Sequence, residues 1–205
     1  MGVRRRNLRK LAKSRAVFLD RDGTIIRHVG LMRRVADIKF LPHVARAIRA
    51  FNKLGFLVVV VTNQPVVASG LATPKEVDRI HAVLIRRLKA KGASVDAVYF
   101  CPHHPNADLK RYRLVCSCRK PEPGMILKAL KKYKINPRQS YIVGDALVDV
   151  VAGKRAGLKT ILVKTGPGSL RDAKYKHIRP DFSVNNLSQV AKIIRGKNKP
   201  GYTPN

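Results

Sequence analysis

Short apolar runs alternate along this chain with segments whose apolar residues recur every three or four positions. A short continuous apolar run is typical of a parallel strand that is covered on both faces. The runs predict strands at residues 15–19, 56–61, 95–100, 140–143 and 160–163, with a short strand near Phe182. No repeat interrupts this alternation, so the pattern predicts one continuous sheet.

The segments between the runs have the spacing of amphipathic helices. Helices are predicted at residues 42–54, from Pro74 to near Gly92, from Pro123 onward, at 147–156 and at 187–194. Thr73 and Glu76 form a capping box, with Pro74 at the first helical position. The helix opened by Pro123 is expected to turn Ile126, Leu127 and Leu130 inward. Strands alternating with helices predict an α/β fold with a doubly wound, Rossmann-like parallel sheet.

The chain of 205 residues fits one domain, which we expect over residues 15–195. Residues 1–14 form a basic N-terminal arm, expected to be a solvated extension. Residues 196–205 are polar and rich in Gly, Pro and Lys, so this tail is predicted to be disordered.

The charge of the chain is unusual, with 43 Lys and Arg against 12 Asp and Glu, a formal net charge of +31. Such a surface attracts phosphorylated substrates and can bind polyanions without specificity. Because the basic residues occur in almost every segment, they favour a general compositional bias over a dedicated nucleic-acid-binding face. No apolar run reaches the roughly 18 residues of a membrane span, and no signal-peptide pattern is present. We expect a cytoplasmic monomer that does not associate with membranes.

The scarce acids are more informative, because several follow predicted strands directly. Asp20 and Asp22 end the first strand and Asp145 ends the fourth, while Thr62 ends the second. In a doubly wound sheet, ligands bind where the carboxyl ends of the strands meet. Two carboxylates at positions i and i+2 repel each other unless a cation or a phosphoryl site uses them. A plain polar turn is the alternative interpretation of the Asp-Arg-Asp-Gly-Thr stretch.

These residues supply the parts that phosphoryl transfer requires. Asp20 is placed as nucleophile and Asp22 as acid/base, with Asp145 as a metal ligand. A carboxylate facing a phosphate dianion at about 4 Å is repelled by roughly 8 kcal/mol at an effective dielectric near 20. Mg²⁺ together with Lys120 would offset that repulsion, and Thr62 would offer a hydroxyl to the phosphate. Asp149, one helical turn after Asp145, is either a neighbour of the metal or the favourable acid of a first helical turn.

All three cysteines lie in two short pairs that are separated by a loop. Cys101-x-His103 and Cys116-x-Cys118 form a Cys₃His set at residues 101–118, which predicts a tetrahedral Zn²⁺ site. In a cytosolic protein this arrangement favours a metal over a disulfide. His104 is an adjacent alternative to His103. His43, His81 and His177 are interpreted as surface or packing residues.

Four stretches of the chain resemble the motifs of the haloacid dehalogenase (HAD) superfamily of phosphatases. They are D-R-D-G-T-I at 20–25, V-T-N-Q at 61–64, C-R-K-P at 118–121 and V-G-D at 143–145. The stretches C-P-H-H-P at 101–105, C-S-C-R-K-P at 116–121 and P-G-M at 123–125 resemble the capless, zinc-bearing branch of this superfamily. That branch contains the heptose-bisphosphate phosphatases and the histidinol-phosphate phosphatase domains.

The resemblance implies a capless HAD fold with a zinc-binding loop and assigns roles at the matching positions. Asp20 would be phosphorylated, while Asp22 would protonate the leaving group and then activate water. Mg²⁺ would be held by the Asp20 carboxylate, the Asp22 backbone carbonyl and Asp145. Thr62 and Lys120 would hold the phosphoryl group. The residues implied to contact substrate are His28, Val29, Gly30, Leu31, Asn63, Gln64, Pro65 and Arg119.

Three departures from the pattern of the branch bear on the substrate. Pro65-Val66 stands where the heptose phosphatases typically have Ser-Gly, Ala146 where the family usually carries Lys, and Leu31 where Tyr is common. The leading hypothesis is a Mg²⁺-dependent phosphomonoesterase acting on a sugar bisphosphate, most directly D-glycero-D-manno-heptose 1,7-bisphosphate. A histidinol-phosphate phosphatase and a polynucleotide 3'-phosphatase are the enzymatic alternatives. A basic nucleic-acid-binding protein on a retired phosphatase scaffold is the non-enzymatic one.

Overall fold

The computed structural model describes residues 14–168 and 173–197. Its centre is a six-stranded sheet in the order β3-β2-β1-β4-β5-β6, in which every neighbouring pair is parallel. The strands are β1 (Arg15–Leu19), β2 (Phe56–Asn63), β3 (Ala97–Cys101), β4 (Tyr141–Gly144), β5 (Lys159–Val163) and β6 (Phe182–Val184). This order is that of a doubly wound Rossmann-like fold, so the predicted fold class is confirmed.

Five helices cover the two faces of the sheet. They are α1 (Val44–Lys53), α2 (Pro74–Lys89), α3 (Gly124–Lys132), α4 (Leu147–Arg155) and α5 (Leu187–Lys197). Val17 and Leu19 of β1 pack in the same apolar cluster as buried residues of α1, α2 and α5. Ala16 and Phe18 of β1 pack in the opposite cluster with α3 and α4. Because adjacent side chains of a strand point to opposite faces, β1 is buried on both sides, which explains its continuous apolar sequence.

The structure differs from the predictions at one end of two helices and in the buried face of a third. Helix α1 begins at Val44 instead of residue 42, because His43 has a left-handed backbone with φ of 63° and cannot continue a right-handed helix. The prediction that Leu127 turns inward is wrong, since Leu127 is 48% exposed. At 100° per residue, Met125, Ile126 and Ala129 form the inward stripe of α3 instead. Helix α5 continues to Lys197, past the predicted end at residue 194.

The long excursion after β1 and the cysteine loop after β3 contain little regular structure. Residues 23–41 include a 3₁₀ turn at Val35–Asp37 and isolated bridges that join Ile26 to Asp22 and Phe40. The cysteine loop contains a 3₁₀ turn at Lys110–Tyr112. The predicted arm, except Ser14, and residues 198–205 of the predicted tail lie outside the described residues. No helix in the described part of the chain is long and apolar enough to span a membrane.

Candidate active site and metal-ligand clusters

The carboxyl ends of β1 and β4 bring three acids to one buried point. The backbone N–H of Asp20 donates to the carbonyl of Val143 at 2.9 Å, which continues the β1–β4 ladder past Leu19. Asp20, Asp145 and Asp149 each offer a carboxylate oxygen, and these oxygens lie within 4.8 Å of one another. All three residues are at most 7% exposed. We call Asp20, Asp145 and Asp149 the carboxylate cluster.

Lys120 supplies the positive charge that faces this cluster. Its Nζ donates to Asp20 Oδ1 at 2.7 Å, to Asp149 Oδ1 at 2.5 Å and to the carbonyl of Val61 at 2.8 Å. Asn63 holds the Lys120 backbone from both sides, because its side-chain amide donates to the carbonyl and accepts from the N–H, each at 3.0 Å. Burial disfavours the charged ammonium, but Asp149 and Asp20 outweigh it and raise the pKa of Lys120.

One cation does not balance three buried acids. Burial, followed by repulsion from Asp20 and Asp149, raises the pKa of Asp145 to about 7. Burial also raises the pKa of Asp149 to about 6, although Lys120 acts against this shift. The cluster therefore retains a deficit of positive charge, which is the electrostatic condition for binding a divalent cation.

Two glycines allow the chain to close around Asp145. Gly23 has φ of 81°, and a Cβ there would overlap the Asp145 carboxylate. A Cβ on Gly166 would overlap the same carboxylate and the backbone of Gly23. The backbone N–H of Gly168 donates to Asp145 Oδ2 at 3.0 Å. These glycines explain why Asp-x-Asp-Gly and the Gly166-Pro167-Gly168 turn both belong to the site.

Asp22 is held by a network that the sequence did not predict. Arg21 is 1% exposed and pairs with Asp22, with its Nη2 2.8 Å from Oδ2. Gln64 donates to Asp22 Oδ2 and to Thr62 Oγ1, each at 2.9 Å, and accepts from Arg21 at 2.8 Å. The carboxyl of Asp22 thus has a fixed orientation at the edge of the pocket. The sequence signal for this network was the Arg between two motif acids at a predicted buried strand end. An Arg is rarely fully buried without a partner, so an ion pair could have been expected there.

His81 of α2 completes the network. Its Nε2 lies 3.1 Å from Arg21 Nη1, and its ring packs against Phe100 with centroids 5.5 Å apart. Burial and the charge of Arg21 lower the pKa of His81 to about 3. Because a guanidinium has only donors, Nε2 accepts and the neutral ring carries its proton on Nδ1. His81 is a buried packing residue, in agreement with its interpretation from sequence.

A pocket of about 500 Å³ opens above these residues. Thr62 and Lys120 lie in its wall. Of the residues implied to contact substrate, the pocket is lined by His28, Gly30, Leu31, Asn63, Gln64, Pro65 and Arg119. The structure does not bring Val29 into the pocket wall, and this residue is 45% exposed. The side-chain amides of Asn63 and Gln64 line the pocket but are already bonded within the protein.

The sequence also missed several residues that line the pocket. Val148 and Pro167 were not predicted, and Val66 and Ala146 were expected to bear on the substrate only as departures from the family pattern. These residues are apolar and follow strand ends at one or more positions beyond the motif, so no chemical signature marked them. Asp149 combines both of its interpretations, because Oδ2 accepts from the backbone of Ala146 at the start of α4 while Oδ1 binds Lys120.

The cysteine loop gathers a second set of metal ligands. The Sγ atoms of Cys101, Cys116 and Cys118 lie 2.9–3.5 Å from one another. His103 Nδ1 lies 3.3–3.7 Å from all three. Tetrahedral Zn²⁺ with bonds of about 2.0–2.3 Å places its ligand atoms about 3.5–3.8 Å apart; the distances from His103 are close to this spacing, and the sulfurs lie somewhat closer to one another. We call these four residues the thiol cluster. His104 does not join it, because its Nδ1 accepts from the backbone of Asn106 at 3.1 Å.

Arg119 links the thiol cluster to the pocket. Its Nη1 donates to the carbonyl of His103 at 3.0 Å, and the residue lines the pocket. Burial lowers the pKa of Arg119, while the cysteine sulfurs act to raise it. The conformation of the cysteine loop therefore determines where this guanidinium lies.

Comparison with a family model and with crystal structures defines the class of protein to which this chain is similar. The HAD-hydrolase-like family model matches residues 117–190, which include α3, β4 and α4. The structure superimposes on the crystal structure of D,D-heptose 1,7-bisphosphate phosphatase from B. bronchiseptica, complexed with magnesium and phosphate. The TM-score is 0.78 at 30% identity, over 89% of this chain and 99% of that one. The corresponding enzyme from Burkholderia thailandensis gives 0.66 at 28% identity, over 90% and 100%.

Sequence comparison with curated proteins identifies the family within this class. The chain is 37% identical to the D-glycero-beta-D-manno-heptose-1,7-bisphosphate 7-phosphatase of Escherichia coli K12 over 90% of this chain and 96% of that protein. It is 34% identical to the Pasteurella multocida enzyme of the same name, over 89% and 97%. The chain therefore belongs to the HAD superfamily, in the family of the heptose-bisphosphate 7-phosphatases. The predicted resemblance is confirmed.

Proposed function

We propose that this protein is a Mg²⁺-dependent phosphatase that removes the 7-phosphate of D-glycero-D-manno-heptose 1,7-bisphosphate through an aspartyl-phosphate intermediate. One observation carries the proposal: Asp20 lies 2.7 Å from Lys120 in the wall of a pocket, within a carboxylate cluster that has a deficit of positive charge. The substrate in this proposal is inferred from the names of the similar proteins.

The carboxylate cluster fits Mg²⁺ by charge and by ligand type. Oxygen ligands are those that Mg²⁺ prefers, with one or two carboxylates and the substrate phosphate. Asp20 and Asp145 would hold the ion with their carboxylates and Asp22 with its backbone carbonyl. Asp149 is bonded to Lys120 and Ala146, so we assign it the positioning of Lys120. When bound, Mg²⁺ neutralises the repulsion between the phosphate and the Asp20 carboxylate.

In the first step a carboxylate oxygen of Asp20 attacks the phosphorus of the substrate. The bond between phosphorus and the sugar oxygen breaks, and Asp22 in its acid form donates a proton to that oxygen. Lys120 and the Thr62 hydroxyl contact the phosphoryl oxygens, where charge accumulates in the transition state.

In the second step the aspartyl-phosphate is hydrolysed. Asp22, now a carboxylate, accepts a proton from water as the water oxygen attacks phosphorus. Inorganic phosphate leaves and the Asp20 carboxylate is regenerated. Arg21 and Gln64 keep the carboxyl of Asp22 oriented in both steps, and its side chain remains 16% exposed at the pocket.

The thiol cluster fits Zn²⁺ with Cys101, His103, Cys116 and Cys118 as ligands. The set provides three sulfur donors and one imidazole nitrogen, which is the Cys₃His composition of a structural site. We assign this metal the folding of residues 101–118 and, through the His103 carbonyl, the placement of Arg119 at the substrate.

The residues at all three departures from the family pattern line the pocket. Leu31, Pro65, Val66 and Ala146 line it and make part of its wall apolar. None of these side chains carries a group that takes part in the reaction, so we expect them to change KM and substrate preference more than the chemical step.

Phosphate release tests the proposal. Heptose 1,7-bisphosphate, histidinol phosphate and a 3'-phosphorylated oligonucleotide are compared at equal concentration with Mg²⁺, and Asp20→Asn is the inactive control. We expect the heptose bisphosphate to have the highest kcat/KM, with one phosphate released per sugar. Turnover of the oligonucleotide alone, or no turnover of any substrate, would overturn the proposal in favour of the nucleic-acid alternatives.

A further inference from the structure

The outer surfaces of α1 and α5 enclose a groove of about 470 Å³ that shares no residue with the catalytic pocket. Its floor is made of small side chains, including Ala47, Ala50 and Ala191. Its walls carry five cations: Arg46, Arg49, Lys53, Lys192 and Arg195. We call this surface the α1–α5 groove.

The cations of the groove are not neutralised by the part of the chain that the structure describes. Neither α1 nor α5 contains an acidic residue. Each ion pair found among the described residues involves cations elsewhere, such as Arg34 with Asp37 or Arg155 with Glu122. The groove is therefore a concentrated positive site, although the sequence shows only basic residues spread over the whole chain.

The spacing of these cations has an electrostatic cost without a bound anion. Arg46 and Arg49 are three residues apart on α1, and Lys53 follows four residues later. Lys192 and Arg195 are three apart on α5. Like charges at these helical spacings lie on one face and destabilise a helix. A chain of phosphates lying in the groove would relieve that repulsion and release counterions.

The shape of the groove distinguishes between polyanions. Packed helices are about 8–10 Å apart, so a groove between them is too narrow for a duplex but admits a single phosphate backbone. Arg46 and Arg49 also line an adjoining depression of about 450 Å³ with His43 and Lys91, which extends the positive surface. A membrane surface fits less well, because none of the large apolar side chains that are exposed among the described residues lies on α1 or α5.

We infer that the α1–α5 groove binds the phosphate backbone of single-stranded nucleic acid, as a second activity that is independent of the phosphatase site. Recognition is electrostatic and independent of base sequence, because the groove contains no aromatic side chain on which a base could stack. With five cations engaged, log K should fall with log salt with a slope of about −3.5, at roughly 0.7 per contact.

A charge-matched comparison tests this inference on the full chain. The groove variant is Arg46→Gln/Lys192→Gln/Arg195→Gln. The control variant is Arg86→Gln/Lys89→Gln/Lys131→Gln, which removes the same net charge from exposed positions on α2 and α3. Binding of a fluorescein-labelled 12-residue RNA without a 3'-phosphate is followed by anisotropy from 50 to 300 mM salt. Phosphate release with Mg²⁺ checks that both variants are folded.

We expect the groove variant to lose at least tenfold in RNA affinity at 150 mM salt and its salt slope to weaken by about 2. The control should lose less than threefold. Equal losses in the two variants would overturn the inference in favour of diffuse charge, as would undetectable RNA binding by the wild type at 150 mM salt. Stronger groove-dependent binding to phosphatidylserine vesicles than to RNA would overturn it in favour of a membrane surface.

Discussion

The carboxylate cluster and the thiol cluster have the same charge balance but different supports. Each has three acidic groups and one adjacent cation, Lys120 in the first and Arg119 in the second. Each therefore requires two further positive charges when its groups are ionised, which is the charge of one divalent metal. The carboxylate cluster follows two central strands and is tied by Lys120 ion pairs of 2.5–2.7 Å. The thiol cluster closes a loop with little regular structure.

The difference shows how a metal can serve a fold or a reaction. Around the carboxylates the sheet and Lys120 hold the acids in place, so the proposed Mg²⁺ would only have to complete the charge. Around the thiols the loop has little regular structure and is tied elsewhere by contacts such as the Leu109 N–H to the Ala68 carbonyl, so the proposed Zn²⁺ would hold the chain as well as complete the charge. Burial raises the pKa of the Cys101 and Cys118 thiols, so a metal bound there would have to displace their protons.

The largest effect that would test this comparison is removal of the thiol ligands. Binding of a structural Zn²⁺ is worth roughly 10–16 kcal/mol, which we expect to be lost in Cys116→Ser. Residues 101–118 should then become sensitive to protease, and metal analysis should find less than one zinc per chain. KM should rise because Arg119 loses its support. A Cys116→Ser protein that keeps a protected loop and full activity would contradict the structural role of the thiol cluster.

The next largest effect concerns the nucleophile of the carboxylate cluster. Asp20→Asn should lower kcat by about 10⁴-fold or more, equivalent to about 5 kcal/mol of activation free energy. Because Asn is isosteric and removes one of three repelling charges, we expect the unfolding temperature to stay the same or rise. The two properties are measured on one preparation. A large loss of stability in Asp20→Asn would show that this cluster serves the fold as much as the thiol cluster does.

Equivalent substitutions of the two cations make the comparison quantitative. Lys120→Met leaves buried carboxylates without a partner, which should cost about 3–5 kcal/mol in unfolding free energy. Arg119→Met removes a half-buried cation and one hydrogen bond to His103, so about 1 kcal/mol is expected. Urea denaturation in the presence of EDTA measures both.

The double variant Lys120→Met/Asp149→Asn controls for this charge effect. It should recover part of the loss, since it removes the nearest unpaired acid. Equal costs for Lys120→Met and Arg119→Met would mean that the two clusters are supported in the same way.

The smallest effect is the response of the metal-free protein to pH. The folded pKa of about 7 for Asp145 and of about 6 for Asp149 both exceed the ordinary value of 3.8. Between these values the folded state binds more protons than the unfolded state, so stability is present at low pH and is lost as pH rises from about 4 to 7. At about 1.4 kcal/mol per pKa unit the loss stays below about 7 kcal/mol, because protonation of Asp149 removes part of the repulsion that raises the pKa of Asp145.

Unfolding temperatures in EDTA from pH 4.5 to 8 measure this response. Mg²⁺ should restore stability at the upper end of the range, because it binds the deprotonated cluster, and Asp145→Asn should flatten the profile. The profile would contradict the charge deficit of the cluster if the unfolding temperature of the metal-free wild type rose with pH while Asp145→Asn behaved identically.

The sequence by itself determined the order of strands and helices along the chain and the residues of both clusters except Asp149, which it left between two interpretations. Asp20 and Asp145 each follow an apolar run directly, and parallel strands in this fold meet at one edge, so their proximity was predictable from local pattern alone. The Cys₃His set could be predicted because two short Cys/His pairs separated by a loop are the usual spacing of zinc ligands. The start of α1 at Val44 was harder to predict from the sequence, because nothing in the neighbouring residues indicates the left-handed backbone of His43.

Only the tertiary structure decided which groups share charges and which surface is left unbalanced. The burial of Arg21 and its contact with His81, which lies 60 positions further along the chain, depend on the packing of α2 against the loop after β1. The grouping of five cations between α1 and α5 depends on the contact of two helices that are distant in sequence. The physical reason is the same in both cases. Local pattern fixes which face of an element is buried, whereas electrostatic partners are selected by distances that exist only after the elements have packed.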